Sequence, residues 1–229
     1  MSSLADLQQQ AGFAFRDEAL LRRALTHRSY ANEHPEEPED NERLEFLGDA
    51  VLDFLVGATL YHRFPEMAEG DLTRLRAALV RTEQLAAFAE KVGVSDAIRL
   101  GKGESVGGGR KRLSVMCATF EAIVGALYLD AGMDAVKAFA EPLFLPAAAE
   151  IVSEQATVDA KSQFQEWAQS ELNSTPHYKT VSAEGPDHEK FFTVEVRVGG
   201  EAYGAGSGPS KQVAAQAAAI DALKRVGAA

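Results

Sequence analysis

The chain has 229 residues, which allows one large domain or two small ones. Its single cysteine, Cys117, excludes an intrachain disulfide and suits a reducing compartment. A net charge of -11 argues against a nucleic-acid binder read from the sum alone, because such footprints are usually basic. The opening residues, MSSLADLQQQ, lack the basic and apolar regions of a secretion signal. No apolar run reaches the ~18 residues of a membrane span, so a cytoplasmic protein without membrane association is expected.

Distribution qualifies the sum. Residues 99 to 112 hold Arg99, Lys102, Arg110, Lys111 and Arg112 against Glu104. Residues 36 to 45 hold Glu36, Glu37, Glu39, Asp40, Glu42 and Glu45 against Arg43. Such segregation is expected if one patch meets phosphates and another meets cations, although chance clustering on loops explains either run alone.

In chain order, Leu4 to Gln10 reads as a short helix, and Asp17 opens a second one with Leu20, Leu21 and Leu25 on its apolar side. His27 reads as a hydrogen-bonded structural histidine. Pro35 and Pro38 mark a loop. Asn41 to Phe54, NERLEFLGDAVLDF, then forms a helix running towards Tyr61, with Pro65 as the stop. Its acids, Glu42, Glu45, Asp49 and Asp53, are spaced i, i+3, i+7, i+11 and share one face. Stacked carboxylates on a largely apolar helix repel each other, and a divalent cation is the simplest offset. A solvated acidic stripe is the bland alternative. Gly48, an odd choice inside a helix unless close packing requires it, favours a site.

NERLEFLGDAVLDF also resembles the signature of the ribonuclease III family, endonucleases specific for double-stranded RNA. The segment Leu25–Tyr30, LTHRSY, is similar to the same family.

Glu69 starts a further helix, expected to continue to about Val92. Gly101 to Gly109, next to Arg110, Lys111 and Arg112, reads as a flexible basic loop for RNA backbone or as an ordinary exposed loop. It is not a Walker loop, because no Gly-Lys-Ser/Thr follows. Leu113 to Leu129 is an almost wholly apolar, hence buried, helix with Glu121 as its only charge. A lone buried carboxylate is rare unless paired or metal-bound. After Met133 one or two helices are expected, interrupted near Pro142 and Pro146.

Residues 154–159 are polar and unperiodic and read as a linker between an N-terminal domain, 1–153, and a C-terminal one, 160–227. The fold class expected is an all-α N-terminal endonuclease domain plus a small α+β domain of order α-β-β-β-α. The latter resembles a double-stranded RNA-binding domain, through Lys161–Glu166, Gly185–His188 and Gly206–Lys211. Ser162 and Gln165 share a helix face, His188 tips a hairpin loop, and Ser210 with Lys211 begins the last helix, a ready phosphate site. Such domains read A-form shape over about 16 base pairs. Seven Lys and Arg against nine Asp and Glu from Val158 onward imply weak, salt-sensitive binding by this domain alone.

The resemblance implies a homodimer with Phe46 inserted into the partner, Mg²⁺ or Mn²⁺ as cofactor, and Glu45, Asp49 and Glu121 as ligands. Asp49 and Glu121 would stand closest to the chemistry, with Glu42 and Glu69 in outer positions. It also implies staggered cuts with short 3′ overhangs, in ribosomal RNA precursors and messages. One departure stands out: where the family carries an Asp, three residues before Glu121, this chain has Ala118. Alanine offers no oxygen, so a cleavage-impaired form is expected. A non-cleaving RNA-binding protein is the rival reading.

Overall fold

The computed structural model describes residues 4–186 and 190–228. His188 lies outside them. The chain divides into two units, Met1–Ala148 and Ala149–Ala229.

The first unit is helical: α1 (Leu4–Ala11), α2 (Glu18–Ala24), α3 (Arg28–Glu33), α4 (Glu42–Arg63), α5 (Glu69–Val80), α6 (Thr82–Lys91), α7 (Val94–Ala97), α8 (Lys102–Val106), a 3-10 turn (Gly109–Lys111), and the first part of α9 (Leu113–Leu172). Local chemistry sets several ends. The Asp17 carboxylate accepts the Ala19 N–H at 2.9 Å and so caps α2. Asp130 accepts the N–H groups of Arg16 and Asp17, both at 2.9 Å, tying that cap to α9. The single helix expected from Glu69 to Val92 is two, because Arg81 is extended (φ -65°, ψ 153°). Within α9 the backbone breaks at Gly132 (φ 81°, ψ -175°) and not near Pro142 or Pro146, which lie inside the helix. A left-handed φ is open to glycine at little cost, and this glycine takes it.

The core of this unit includes Leu21, Leu52, Leu75, Leu79, Phe120 and Ile123, all at most 1% exposed. The centre of the 113–129 stretch is buried as expected, but its ends are not: Leu113 is 50% and Leu129 55% exposed. Residues 113–153, although broken at Gly132, are helical and apolar enough to cross a membrane by length and composition. They serve as a core helix, with 61% of their most apolar stretch buried inside the protein.

In the second unit residues 149–172 are helical, including 154–159, where an irregular linker was expected. Three antiparallel strands follow, β1 (His177–Glu184), β2 (Phe191–Val198) and β3 (Glu201–Gly208), in the order β1-β2-β3. The β2–β3 turn is Gly199-Gly200, both with positive φ (59° and 93°), as a tight two-residue hairpin needs. Alternation on β2 sends Val194, Val196 and Val198 into a core shared with Phe164 and the alanines of α10 (Lys211–Val226).

Candidate active site

Two glycines bring the acids together. A Cβ on Gly48 would lie 1.7 Å from the Glu121 carbonyl oxygen, and one on Gly125 would lie 2.2 Å from that of Leu44. The backbones of α4 and α9 therefore touch, a contact no larger residue permits at either position. Glu45 and Asp49, flanking Gly48, are thereby set beside Glu121, one turn before Gly125. Asp49 and Glu45 are near enough for their charges to act on Glu121.

The electrostatics record the meeting. Burial, then the negative charges of Asp49 and Glu45, push the Glu121 carboxyl up to about 7. Glu45 is also raised, by burial first and then by Glu42, Asp49 and Asp40. Glu121 is half-buried and not lone: the Cys117 thiol donates to its Oε1 at 3.7 Å. Burial and Glu121 hold that thiol up at about 12, so it stays protonated as the donor.

A cleft beside Glu45 has Glu42, His27, Arg28, Arg112 and Ala118 among its walls, whereas Asp49 and Glu121 do not line it. The methyl of Ala118 thus shares a wall with Glu45, where a longer acid would put a carboxylate. Arg28 pairs with Glu42 at 3.3 Å, and Arg112 with Glu104 at 2.6 Å. His27 caps α3 through its side chain, as a structural histidine should. Glu69 is exposed at the start of α5, accepts from the Thr73 hydroxyl at 3.1 Å and lines no part of this cleft. Among the described residues no three acid, histidine or cysteine side chains are already arranged to hold a metal ion.

The basic run is less available than its sequence suggests. Arg110 donates to the Ser95 carbonyl at 2.9 Å, and Arg112 is the partner of Glu104, whereas Lys111 is exposed. The segment is folded into α8 and the 3-10 turn and is not a flexible loop. The two charge runs touch at one pair, Arg99 with Glu37 at 2.7 Å. Phe46 is 81% exposed and continues along α4 into Phe54, 65%, and Tyr61, 68%, so it is not an intrachain core residue.

In the second unit Ser162 and Gln165 line one shallow groove on their helix. The Ser210 hydroxyl accepts the Val213 N–H at 3.2 Å as the cap of α10, and Lys211 is exposed beside it. Sequence reasoning missed Gly125 and Cys117. Both were findable as turn-spaced neighbours of Glu121, at i+4 and i-4.

Fold and site define a protein of two modules, a helical body that gathers carboxylates and an α-β-β-β-α body of the type that grips RNA. Residues 17–148 match the family model described as ribonuclease-III-like, and residues 160–226 match the double-stranded RNA binding motif. The chain is 46% identical to Ribonuclease 3 of Roseiflexus sp. (strain RS-1) over 224 residues, 96% of this chain and 94% of that one. It is 44% identical to Ribonuclease 3 of Listeria welshimeri, covering 99% of each. A crystal structure of the nuclease domain of ribonuclease III from Campylobacter jejuni aligns with TM-score 0.58 and 42% identity, over 63% of this chain and 95% of that one. Another, concerned with flexibility in a region involved in dimer formation of that domain, aligns at 0.56 and 43%, over 60% and 93%. The chain belongs to the ribonuclease III family and carries a double-stranded RNA-binding domain, which makes it an endoribonuclease of double-stranded RNA.

Proposed function

We propose that this chain acts as a cytoplasmic homodimer that hydrolyses one phosphodiester in each strand of duplex RNA, leaving short 3′ overhangs, in ribosomal RNA precursors and some messages. The observation that carries the reading is the convergence of Glu45, Asp49 and Glu121 at the Gly48–Gly125 crossing. Three hard-oxygen donors that repel one another fit a divalent cation. Glu45, Asp49 and Glu121 would hold it, with Asp49 and Glu121 nearest the scissile phosphate and Glu42 and Glu69 further out. Mg²⁺, or Mn²⁺ as a substitute, would supply an activated water and neutralise charge on the leaving oxygen.

The chain's own residues do the rest. The glycine crossing fixes the spacing of the acids, and the Cys117 thiol orients one oxygen of Glu121. The 1–153 domain cuts, and the 160–227 domain holds the duplex through Ser162, Gln165, His188, Ser210 and Lys211, with Lys111 adding contact from the first domain. The exposed row of Phe46, Phe54 and Tyr61 supports a partner copy as its cover, in keeping with the dimer-forming region named for the Campylobacter jejuni domain.

Ala118 leaves the donor set one carboxylate short, and this copy is impaired in cleavage. Ala118→Asp, assayed with Mg²⁺ on an end-labelled duplex, raises the rate at least about a hundredfold, since outer-shell partners alone are worth 10–100-fold. An unchanged rate refutes the impairment. Tight duplex binding with no cleavage in either form favours the second reading that Ala118 supports, a non-cleaving RNA-binding protein.

A further inference from the structure

Resting on that reading of the cleft, we propose that His27 is a substrate-positioning residue as well as a cap. Its Nε2–H donates a hydrogen bond to a backbone oxygen of the RNA, on a phosphate or a ribose 2′-hydroxyl.

The argument begins at the other ring nitrogen. The backbone N–H of Ser29 donates to Nδ1 at 3.2 Å. A backbone N–H can only donate, so Nδ1 carries no proton and a neutral ring holds its proton on Nε2. The Ser29 hydroxyl agrees with this assignment. It lies 2.8 Å from Nδ1 and already accepts the Gly101 N–H at 3.0 Å, which leaves its own hydrogen for the ring.

The ring is therefore locked in one tautomer from behind. It lines the same cleft as Glu45 and Ala118. Among the described residues Nε2 has no hydrogen-bond partner, so it is the one polar atom His27 can offer to that space. Burial, the dominant influence on the ring, keeps it neutral against the pull of Glu104, Glu42 and Asp40, with Arg28 acting in the same direction as burial. A neutral donor does not act as a counter-ion to Glu45, so it can bind substrate oxygen without occupying the acids. Capping alone would need only Nδ1, and a shorter side chain would supply it.

Two substitutions separate the roles. His27→Asn keeps an oxygen at the reach of Nδ1 and loses the donor at Nε2. His27→Gln keeps an amide N–H near the reach of Nε2 and loses the short cap. In the Ala118→Asp form with Mg²⁺, His27→Asn is expected to lower duplex cleavage about 10–100-fold at unchanged melting temperature, the worth of one charge-assisted hydrogen bond. His27→Gln should cleave faster than His27→Asn while melting lower. Full activity in His27→Asn, a fall in its melting temperature that accompanies the loss, or slower cleavage by His27→Gln overturns the proposal.

The acceptor is found with duplexes carrying single 2′-deoxy nucleotides or single methylphosphonates around the scissile bond. The His27→Asn defect vanishes on the duplex that lacks the bonded oxygen, and a defect unchanged on all of them overturns the proposal. No cleavage by the Ala118→Asp parent instead defeats the functional reading, and this inference with it.

Discussion

In the first unit Gly48 and Gly125 let α4 and α9 touch. In the second, Gly206 lets α10 lie on β3, where a Cβ would stand 2.2 Å from the Ala218 nitrogen. The close approaches look alike, yet what they enclose differs. Around Gly206 the neighbours are Ala217 and Ala218, with no charge among them. Around Gly48 they are Glu45, Asp49 and Glu121, and burial with the charges of the first two raises the Glu121 carboxyl. The second unit is packed for stability and presents polar groups on its exterior. The first gives up stability to a cluster of like charges, as reactive centres do.

The largest effects should come from filling those contacts. Gly48→Ala should destabilise the first unit by about 3 kcal/mol or more, the upper end of overpacking costs, because a backbone oxygen cannot step aside. Gly206→Ala should do the same to the second unit. The only tryptophan, Trp167, lies in the second unit. Its fluorescence should follow Gly206→Ala and ignore Gly48→Ala, while circular dichroism records both. A Trp167 transition moved by Gly48→Ala would break the comparison.

Next is the outer face of α4. Phe46→Ala should weaken self-association by about 2 kcal/mol, near thirtyfold, as loss of a central aromatic anchor does. Sedimentation across a concentration series reads this directly, and an unchanged association constant removes Phe46 from the interface.

The acid cluster predicts a stabilising substitution. Glu121 titrates near 7 in the folded chain against 4.5 in the unfolded one. The folded state therefore holds an extra proton between those values. Its stability from this group is full below about pH 4.5 and is lost as pH rises through 7. Glu121→Gln should raise the first unit's melting temperature at pH 8 by about 2–4 °C, the effect of ~1 kcal/mol at this size, allowing for screening by water at the open cleft. At pH 4.5 it should change little. Saturating Mg²⁺ should narrow the gap at pH 8 by stabilising the parent alone.

Smallest is Lys211→Ala. Losing one phosphate contact should weaken duplex binding severalfold, equally across sequences, and lower the salt slope by about one. A sequence-dependent loss would mean that the second unit reads bases as well as shape.

Much of this was legible from the chain alone. Fourteen residues from Asn41 to Phe54 carried both the helix and the family. Asp17 and Ser210 announced the caps they make. These signals are local, since periodicity, capping and turn chemistry act within a few residues. The run at 99–112 shows the limit of such signals: its charges are visible in sequence, but the partners of Arg110, Arg99 and Arg112, namely Ser95, Glu37 and Glu104, are set by the fold. The break at Arg81 also had no breaker residue to mark it.

The sequence by itself determined the two-module plan, the family, the acids on α4 and the alanine at position 118. Tertiary structure alone decided that Gly125 answers Gly48, that His27 lines a cleft with Glu45, that Cys117 donates to Glu121, and that Phe46 faces outward. The first two outcomes depend on pairs of residues far apart in the chain. Their contact energy exists only once two helix backbones have closed to a distance that neither helix encodes on its own.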